Sequence, residues 1–132
     1  MPTIFSKIIS GEIPSYKVAE NEDFLAFLDI NPNSIGHTLC IPKKEIDYIL
    51  DLDENTFQEL MKFSRKVALS IDKVIDCERV SFSVIGLEVP HVHVHLIPIK
   101  EMSDANFTKK VSMNDNQFKQ TASLISDAFK SI

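Results

Sequence analysis

Three of the four histidines in this 132-residue chain lie in one short segment, His91-Val92-His93-Val94-His95. Side chains alternate between the two faces of a β-strand, so a strand here would place the three imidazoles on one face and the valines on the other. Valine is β-branched and is typical of a buried strand face. The segment therefore predicts a row of imidazoles backed by the hydrophobic core.

Three interpretations of this row are open from the residues alone. It could be a solvent-exposed strand face, although such faces are usually built from Thr, Lys and Glu. It could bind zinc, but His91 and His95 would start about 13 Å apart on a strand, so one ion would take two of the histidines and a ligand from elsewhere. It could also perform phosphoryl transfer, because neutral imidazole is a good nucleophile near pH 7. We favour phosphoryl transfer, with His93 as the attacking group and its neighbours as proton donors and cations.

Size and composition fit one globular domain over residues 1–132. Hydrophobic residues make up 44% of the chain and charged residues 25%, and no apolar run reaches the roughly 18 residues of a membrane span. The first residues lack the basic start and apolar run of a signal peptide. The net charge is −5 and the basic residues are scattered, which argues against a nucleic-acid surface but not against a free nucleotide. We therefore expect a cytoplasmic protein without nucleic-acid or membrane partners.

Hydrophobic periodicity predicts an α+β fold whose sheet contains about five antiparallel strands. A short N-terminal helix begins after Thr3, and a C-terminal helix begins near Asn114. The longest helix follows the third strand and is capped by Asp53. The strands follow one another in meander order, at residues 16–20, 24–29, 37–41, 80–85 and 91–97.

The histidine segment, continued by Leu96-Ile97, matches the signature His-φ-His-φ-His-φ-φ, in which φ is apolar. In this the chain resembles the histidine triad family of nucleotide hydrolases and transferases. Three further segments resemble the Hint branch of that family, namely residues 4–14 (IFSKIISGEIP), 27–32 (FLDINP) and 36–44 (GHTLCIPKK). The resemblance covers about residues 3–99 and leaves residues 100–132 as a C-terminal extension with a helix. It implies an antiparallel sheet with helices and a homodimer.

The resemblance also implies an activity and a role for each histidine. His93 would take a nucleoside monophosphate such as AMP from a phosphoramidate or a phosphoanhydride, and water would then release it from the histidine. We expect the other ring nitrogen of His93 to be held by a backbone carbonyl or a polar group. His95 would contact the phosphate or the leaving group, while His91 and His37 would complete the cluster and fix the tautomers. No metal or other cofactor is required for this chemistry.

The nucleotide-binding residues that the resemblance implies lie mostly outside the triad. Asp29 corresponds to the ribose-binding acid of the family, and a carboxylate can accept hydrogen bonds from both hydroxyls of a vicinal diol. The alternative is a turn-forming acid, because Asp29 precedes Ile30-Asn31-Pro32. An apolar slot for a purine base would be formed by Ile4, Phe5, Ile8, Phe27 and Ile30. These apolar residues would be ordinary core in most proteins.

Two segments depart from the family pattern. Gly86-Leu87-Glu88 stands where many relatives have Gly-Gln-Ser or Gly-Gln-Thr, and Glu45 stands where relatives of the Hint branch often have His. Leu87 offers no amide donor, and the carboxylate of Glu88, which we expect beside the bound nucleotide, would repel a phosphate. Two alternatives to a phosphoramidase therefore stay open. One is a dinucleoside polyphosphate hydrolase, as in the fragile histidine triad branch, and the other is a nucleotide-binding regulatory module with little catalysis.

Overall fold

A five-stranded antiparallel sheet and three helices form the fold in this computed structural model, which describes residues 2–132. The strands are β1 Lys17–Glu20, β2 Phe24–Leu28, β3 Thr38–Pro42, β4 Arg79–Ser83 and β5 Val94–Ile99. The helices are α1 Ile4–Ser10, α2 Glu54–Val74 and α3 Asp115–Lys130, and two short 3₁₀ turns lie at Ile49–Asp51 and Met102–Ala105. The predicted α+β fold, with its long helix after the third strand, is confirmed.

The strand order is β1-β2-β3-β5-β4, so the predicted meander is correct only as far as β3. β5 pairs with β3, and β4 lies at the outer edge of the sheet. The two strands differ in composition, because all but the last residue of β5 is buried, whereas none of β4 is fully buried. The more apolar strand therefore takes the central position, where both of its neighbours shield it from water.

The two faces of the sheet carry different helices. One face packs against α2 and α3 through a cluster that includes Leu60 and Ile71 of α2 and Ile125 of α3. The other face packs against α1, where Phe5 forms a smaller cluster with Leu25 and three further strand residues. β2 and β3 are consequently buried at every position, as expected for strands that are covered on both sides.

Side-chain caps set the beginnings of the helices. Asp53 accepts a hydrogen bond from the backbone of Thr56 at the start of α2, and Asn114 accepts one from Gln117 at the start of α3. Each cap satisfies a backbone N–H group that has no partner within its helix. Along residues 2–132, none of the helices combines the length and the apolar character needed to cross a lipid bilayer.

Candidate active site

The histidine segment is only partly a strand. β5 begins at Val94, so His91 and His93 lie in the turn before it, and the predicted strand over residues 91–97 is too long at its start. The backbone explains the difference, because the N–H of His91 bonds to the carbonyl of Val89 two residues earlier and the N–H of Val92 bonds to Ile46. All three histidines are nonetheless buried, at no more than 8% exposure. The interpretation as a solvent-exposed strand face is therefore wrong.

The tautomer of His91 is set by its two ring contacts. Nε2 lies 2.8 Å from the carbonyl oxygen of Pro42, which can only accept, so Nε2 carries the hydrogen. Nδ1 therefore accepts from the hydroxyl of Thr3, 3.1 Å away. The same hydroxyl accepts from the N–H of Ser6 and caps α1. One threonine thus ties the first helix to the triad.

His93 has the tautomer that a nucleophile requires. Its Nδ1 lies 2.7 Å from the carbonyl oxygen of His91 and must donate, which leaves the lone pair on Nε2. The expected backbone carbonyl partner is therefore confirmed. The ring also packs edge-on against Phe5, with centroids 5.0 Å apart, so its orientation is restricted from a second side.

His37 and His95 form a hydrogen-bonded pair whose direction follows from a backbone contact. The N–H of Asn33 donates to Nδ1 of His37 over 2.9 Å, so the hydrogen of the neutral His37 ring lies on Nε2. That nitrogen donates to Nδ1 of His95 over 3.0 Å. The hydrogen of the neutral His95 ring is consequently on Nε2, and His95 can donate a hydrogen bond from that atom.

Burial keeps this histidine pair neutral. It lowers the pKa of His37 to about 3 and the pKa of His95 to about 4, and nearby positive charge adds to both shifts. Burial also lowers the pKa of His91. Imidazole with a pKa of about 3 or 4 is uncharged at pH 7, so His37 and His95 supply hydrogen bonds but no positive charge. Our expectation that the histidines flanking His93 act as cations is therefore wrong for His95.

Asp29 makes a turn-forming contact and also lines the histidine cleft. Its Oδ1 accepts from the N–H of Asn31 over 2.9 Å, which is a turn-forming contact. Its Oδ2 lies 3.6 Å from Nε2 of His37, and the side chain lines the same cleft as His93 and His95. Burial raises the pKa of this carboxyl group. One oxygen therefore holds the loop while the other faces the histidines.

Among residues 2–132, the group of side chains that could hold a metal ion consists of Asp29, His37 and His95. Each offers one ligand atom, and these atoms lie within 4.8 Å of one another. Two imidazoles and a carboxylate are suitable zinc ligands. The hydrogen bond between the two imidazoles already explains their proximity, and it occupies the lone pair that His95 Nδ1 would offer to an ion. Only one triad histidine belongs to this group, whereas the zinc interpretation requires two.

His93 and His95 open into a cleft of about 420 Å³. Asp29 and Asn31 line one part of it, and Glu88 lines it as predicted. Leu87 also lines the cleft and is 88% exposed. The remaining lining residues are Ile85, Gly86, Phe107 and Lys110. The short segment before the triad therefore borders the cleft, and so does the C-terminal extension.

Several residues of the site were not identified from the sequence. Phe107 packs edge-on against the ring of His95, with centroids 4.7 Å apart, and Lys110 lies beside it. The sequence predicts Thr3 only at the start of the first helix and assigns no role in the site to Asn33. The sequence offers one weak signal for Phe107 and Lys110, which is an aromatic residue close to a Lys-Lys pair in the loop before α3.

The residues predicted to form the base slot are divided between different surroundings. Phe5 and Phe27 are buried against each other, with ring centroids 5.6 Å apart, and Ile8 packs on the same cluster. Ile4 is 47% exposed and Ile30 is 72% exposed. Ile30 lines a larger cavity of about 810 Å³ between α3 and β1, and no histidine lines that cavity. None of the five borders the histidine cleft, so the base slot stays a prediction.

Comparison with known proteins agrees with this geometry. A model of the HIT domain family matches residues 10–102 of the chain. A HIT-like protein of Borreliella burgdorferi is 35% identical over 132 residues, with 93% of this chain and 95% of the relative covered. The adenosine 5′-monophosphoramidase of Schizosaccharomyces pombe is 36% identical over 99 residues, with 74% of each chain covered.

A solved structure shares the whole architecture. The crystal structure of a hypothetical histidine triad nucleotide-binding protein from Sulfolobus tokodaii superposes with a TM-score of 0.87 at 32% identity, over 97% of this chain and 92% of that one. The family match, the relatives and the buried histidine cluster agree with one another. The chain therefore belongs to the histidine triad, or HIT, family.

Proposed function

We propose that this protein hydrolyses nucleoside phosphoramidates or related nucleotidyl conjugates through a nucleotidyl intermediate on His93, releasing a nucleoside monophosphate such as AMP. One observation carries the proposal. His93 donates from Nδ1 to the carbonyl of His91 over 2.7 Å, and this leaves its Nε2 lone pair free to attack phosphorus. The monophosphoramidase activity named for the relative from Schizosaccharomyces pombe supports the same reaction class.

The first step transfers the nucleotidyl group to the protein. Nε2 of His93 attacks the phosphorus, the P–N bond of the phosphoramidate breaks, and the leaving nitrogen keeps the electron pair and takes a proton from water. His95 donates a hydrogen bond from Nε2 to a phosphoryl oxygen, where negative charge develops. His37 holds His95 in the donating tautomer through their 3.0 Å contact. The role of His37 is therefore one of positioning.

The second step returns the free enzyme. Water attacks the phosphorus, the bond to Nε2 of His93 breaks, and the electron pair returns to the imidazole while the water loses a proton to the solvent. The hydrogen bond to the carbonyl of His91 keeps the ring in place through both steps. Imidazole provides the nucleophile and N–H groups bind the phosphate, so the proposed reaction requires no metal cofactor.

Asp29 and the exposed edge of the sheet complete the proposal. The Oδ2 atom of Asp29 faces the histidines in the cleft and would accept hydrogen bonds from a ribose diol. β4 is an outer strand of the sheet and exposes Phe82 at 43%, and Leu69 of α2 is 40% exposed nearby. An unpaired strand edge beside apolar side chains supports pairing into a homodimer. A cytoplasmic location is part of the same proposal.

A substrate panel tests the reaction. Wild type is expected to release AMP and ammonia from adenosine 5′-phosphoramidate, and quenched samples should contain an adenylyl adduct on His93 by mass spectrometry. His93→Ala should lose both the turnover and the adduct. Near wild-type turnover by His93→Ala would refute the assignment of the nucleophile.

A nucleotide-binding module with little catalysis is the second candidate. It is favoured by Glu88, which puts a carboxylate in the cleft, and by Leu87, which provides no polar donor there. Calorimetry with AMP and the substrate panel together separate the two functions. The protein would be identified as the module if it binds AMP but releases neither amine from any phosphoramidate nor AMP from a dinucleoside polyphosphate.

A further inference from the structure

The histidine cleft has an unfavourable charge balance for a phosphorylated ligand. Asp29 and Glu88 both line it, and the pKa of His95, about 4, leaves that ring uncharged at pH 7. A nucleotide would add the negative charge of its phosphate to these carboxylates. Of residues 2–132, Lys110 is the only lysine or arginine that lines the cleft. A bound phosphate would therefore meet one permanent cation, and that cation comes from the C-terminal extension.

Lys110 is held at the cleft by two oxygen atoms. Its ammonium group donates to the carbonyl of Asn31 over 3.1 Å and to Oδ1 of Asn33 over 2.9 Å. An ammonium group has three hydrogens, so one donor is left for a ligand. The same ammonium lies 5.4 Å from the ring centre of Phe107, which faces His95. The charge contributes to the lowered pKa values of His37 and His95 and offsets part of the rise that burial causes in the pKa of Asp29, as expected for a nearby cation.

The loop that carries Lys110 is fixed to the rest of the site. Asp104 accepts from the backbone N–H groups of Lys100 and Glu101 and pairs with the ammonium of Lys109. The side-chain N–H of Asn33 donates to the carbonyl of Asp104 over 3.1 Å.

Asn33 is fully buried and connects the catalytic histidines to this loop. Its backbone N–H fixes the tautomer of His37, and its side chain contacts both Asp104 and Lys110. The position of the Lys110 ammonium is therefore coupled to the fold of the cleft, although its side chain comes from an exposed loop.

We propose that Lys110 binds the phosphoryl oxygens of the nucleotide, so that the C-terminal extension completes the phosphate site within the same chain. The proposal rests on the nucleotidyl chemistry proposed above, and it assigns to Lys110 the permanent positive charge at the phosphate. Lys110 is a binding residue that recognises the charge of the phosphate, whereas Asp104 and Asn33 position it.

The test compares AMP with adenosine, because the two ligands differ only in the phosphate. Dissociation constants are measured by calorimetry for wild type, Lys110→Met and Lys110→Arg. Lys62→Met serves as the control, since it removes one positive charge from the exposed surface of α2. Lys110→Met should weaken AMP binding about tenfold, equivalent to about 1.4 kcal/mol, and leave adenosine binding unchanged. Lys110→Arg should retain most of the affinity for AMP, and Lys62→Met should behave as wild type.

Any of three results would overturn the role of Lys110. The first is an equal loss of AMP and adenosine affinity in Lys110→Met, which would indicate damage to the loop. The second is unchanged AMP affinity in Lys110→Met, and the third is a wild-type protein that does not prefer AMP to adenosine. Turnover separates this proposal from the proposed function. Lys110-dependent AMP binding without phosphoramidate hydrolysis would refute the hydrolase alone, and hydrolysis with unchanged AMP binding in Lys110→Met would refute the role of Lys110 alone.

Discussion

Mild acid should destabilise this protein, because two buried histidines stay neutral in the folded state. The pKa of His37 is about 3 and that of His95 about 4, compared with the ordinary value of 6.5. Below pH 6.5 the unfolded chain takes up protons at these positions and the folded chain does not. The free energy of unfolding therefore falls by up to about 1.4 kcal/mol per pH unit for each histidine. Between pH 7.5 and pH 5 this amounts to roughly 2 kcal/mol each, or about 4 kcal/mol for the pair.

The histidines and the carboxylates change the free energy of unfolding in different pH ranges. Above pH 6.5 both states leave these histidines neutral, so the histidine contribution is constant there. It decreases as the pH falls from 6.5 toward the folded pKa values. Asp104, whose pKa is lowered to about 2 chiefly by its contact with Lys109, stabilises the fold above the ordinary carboxyl pKa and loses this effect only at lower pH. Asp29 acts in the opposite direction, because its raised pKa lets the folded state take up a proton first.

Urea unfolding at pH 7.5, 6.5 and 5.0 measures this dependence. Wild type should lose about 4 kcal/mol between the extremes, a large share of the 5–15 kcal/mol typical of a domain. His37→Gln removes one titrating group and should lose about half as much, whatever its stability at pH 7.5. A wild-type stability that is constant from pH 7.5 to 5.0 would refute the reasoning. An equal loss in both proteins would show that His37 is not the group involved.

Three further predictions concern the helix cap, the residues before the triad and the oligomer. Thr3→Val should lower the free energy of unfolding by about 2–3 kcal/mol, because it removes both the α1 cap and the buried donor to His91. Thr3→Ser keeps the hydroxyl and should retain most of the stability. Equal losses in the two variants would contradict a role for the hydroxyl. The double substitution Leu87→Gln with Glu88→Ser should tighten AMP binding several-fold in calorimetry. Unchanged or weaker binding would mean that Glu88 recognises another substrate group or turns away from the phosphate. Sedimentation at micromolar concentration should give about twice the chain mass of 14.9 kDa, and a monomer would count against the homodimer.

Local signals in the sequence were sufficient to predict most of the fold. Asp53 and Asn114 are the observed caps of α2 and α3, since capping depends on residues within one turn of the chain. The strand order was not predictable in the same way. Whether β4 or β5 pairs with β3 depends on which of the two strands is better suited to burial in the centre of the sheet. The alternation of apolar and polar residues along one strand does not give that comparison between two strands.

The clustering of the four histidines was predictable from the sequence, whereas their proton positions and several other residues of the cleft were not. Thr3 and His91 are 88 positions apart, and Pro42 is 49 positions from His91, yet together they set one tautomer. Contacts over such separations are set by tertiary packing and leave no spacing signal in the chain. Lys110 was missed for the same reason, since it reaches Asn31 across 79 positions from a loop without periodicity.

The histidine tautomers are fixed mainly by the backbone, and this affects how departures from the family pattern act. The carbonyl of Pro42 orients His91, the carbonyl of His91 orients His93, and the N–H of Asn33 orients His37. A backbone partner remains when a neighbouring side chain changes, so the hydrogen bond from Nδ1 of His93 does not depend on Leu87 or Glu88. Those residues alter the charge and polarity of the cleft wall instead. Substitutions there should therefore change which substrates bind, while Nε2 of His93 stays available as the proposed nucleophile.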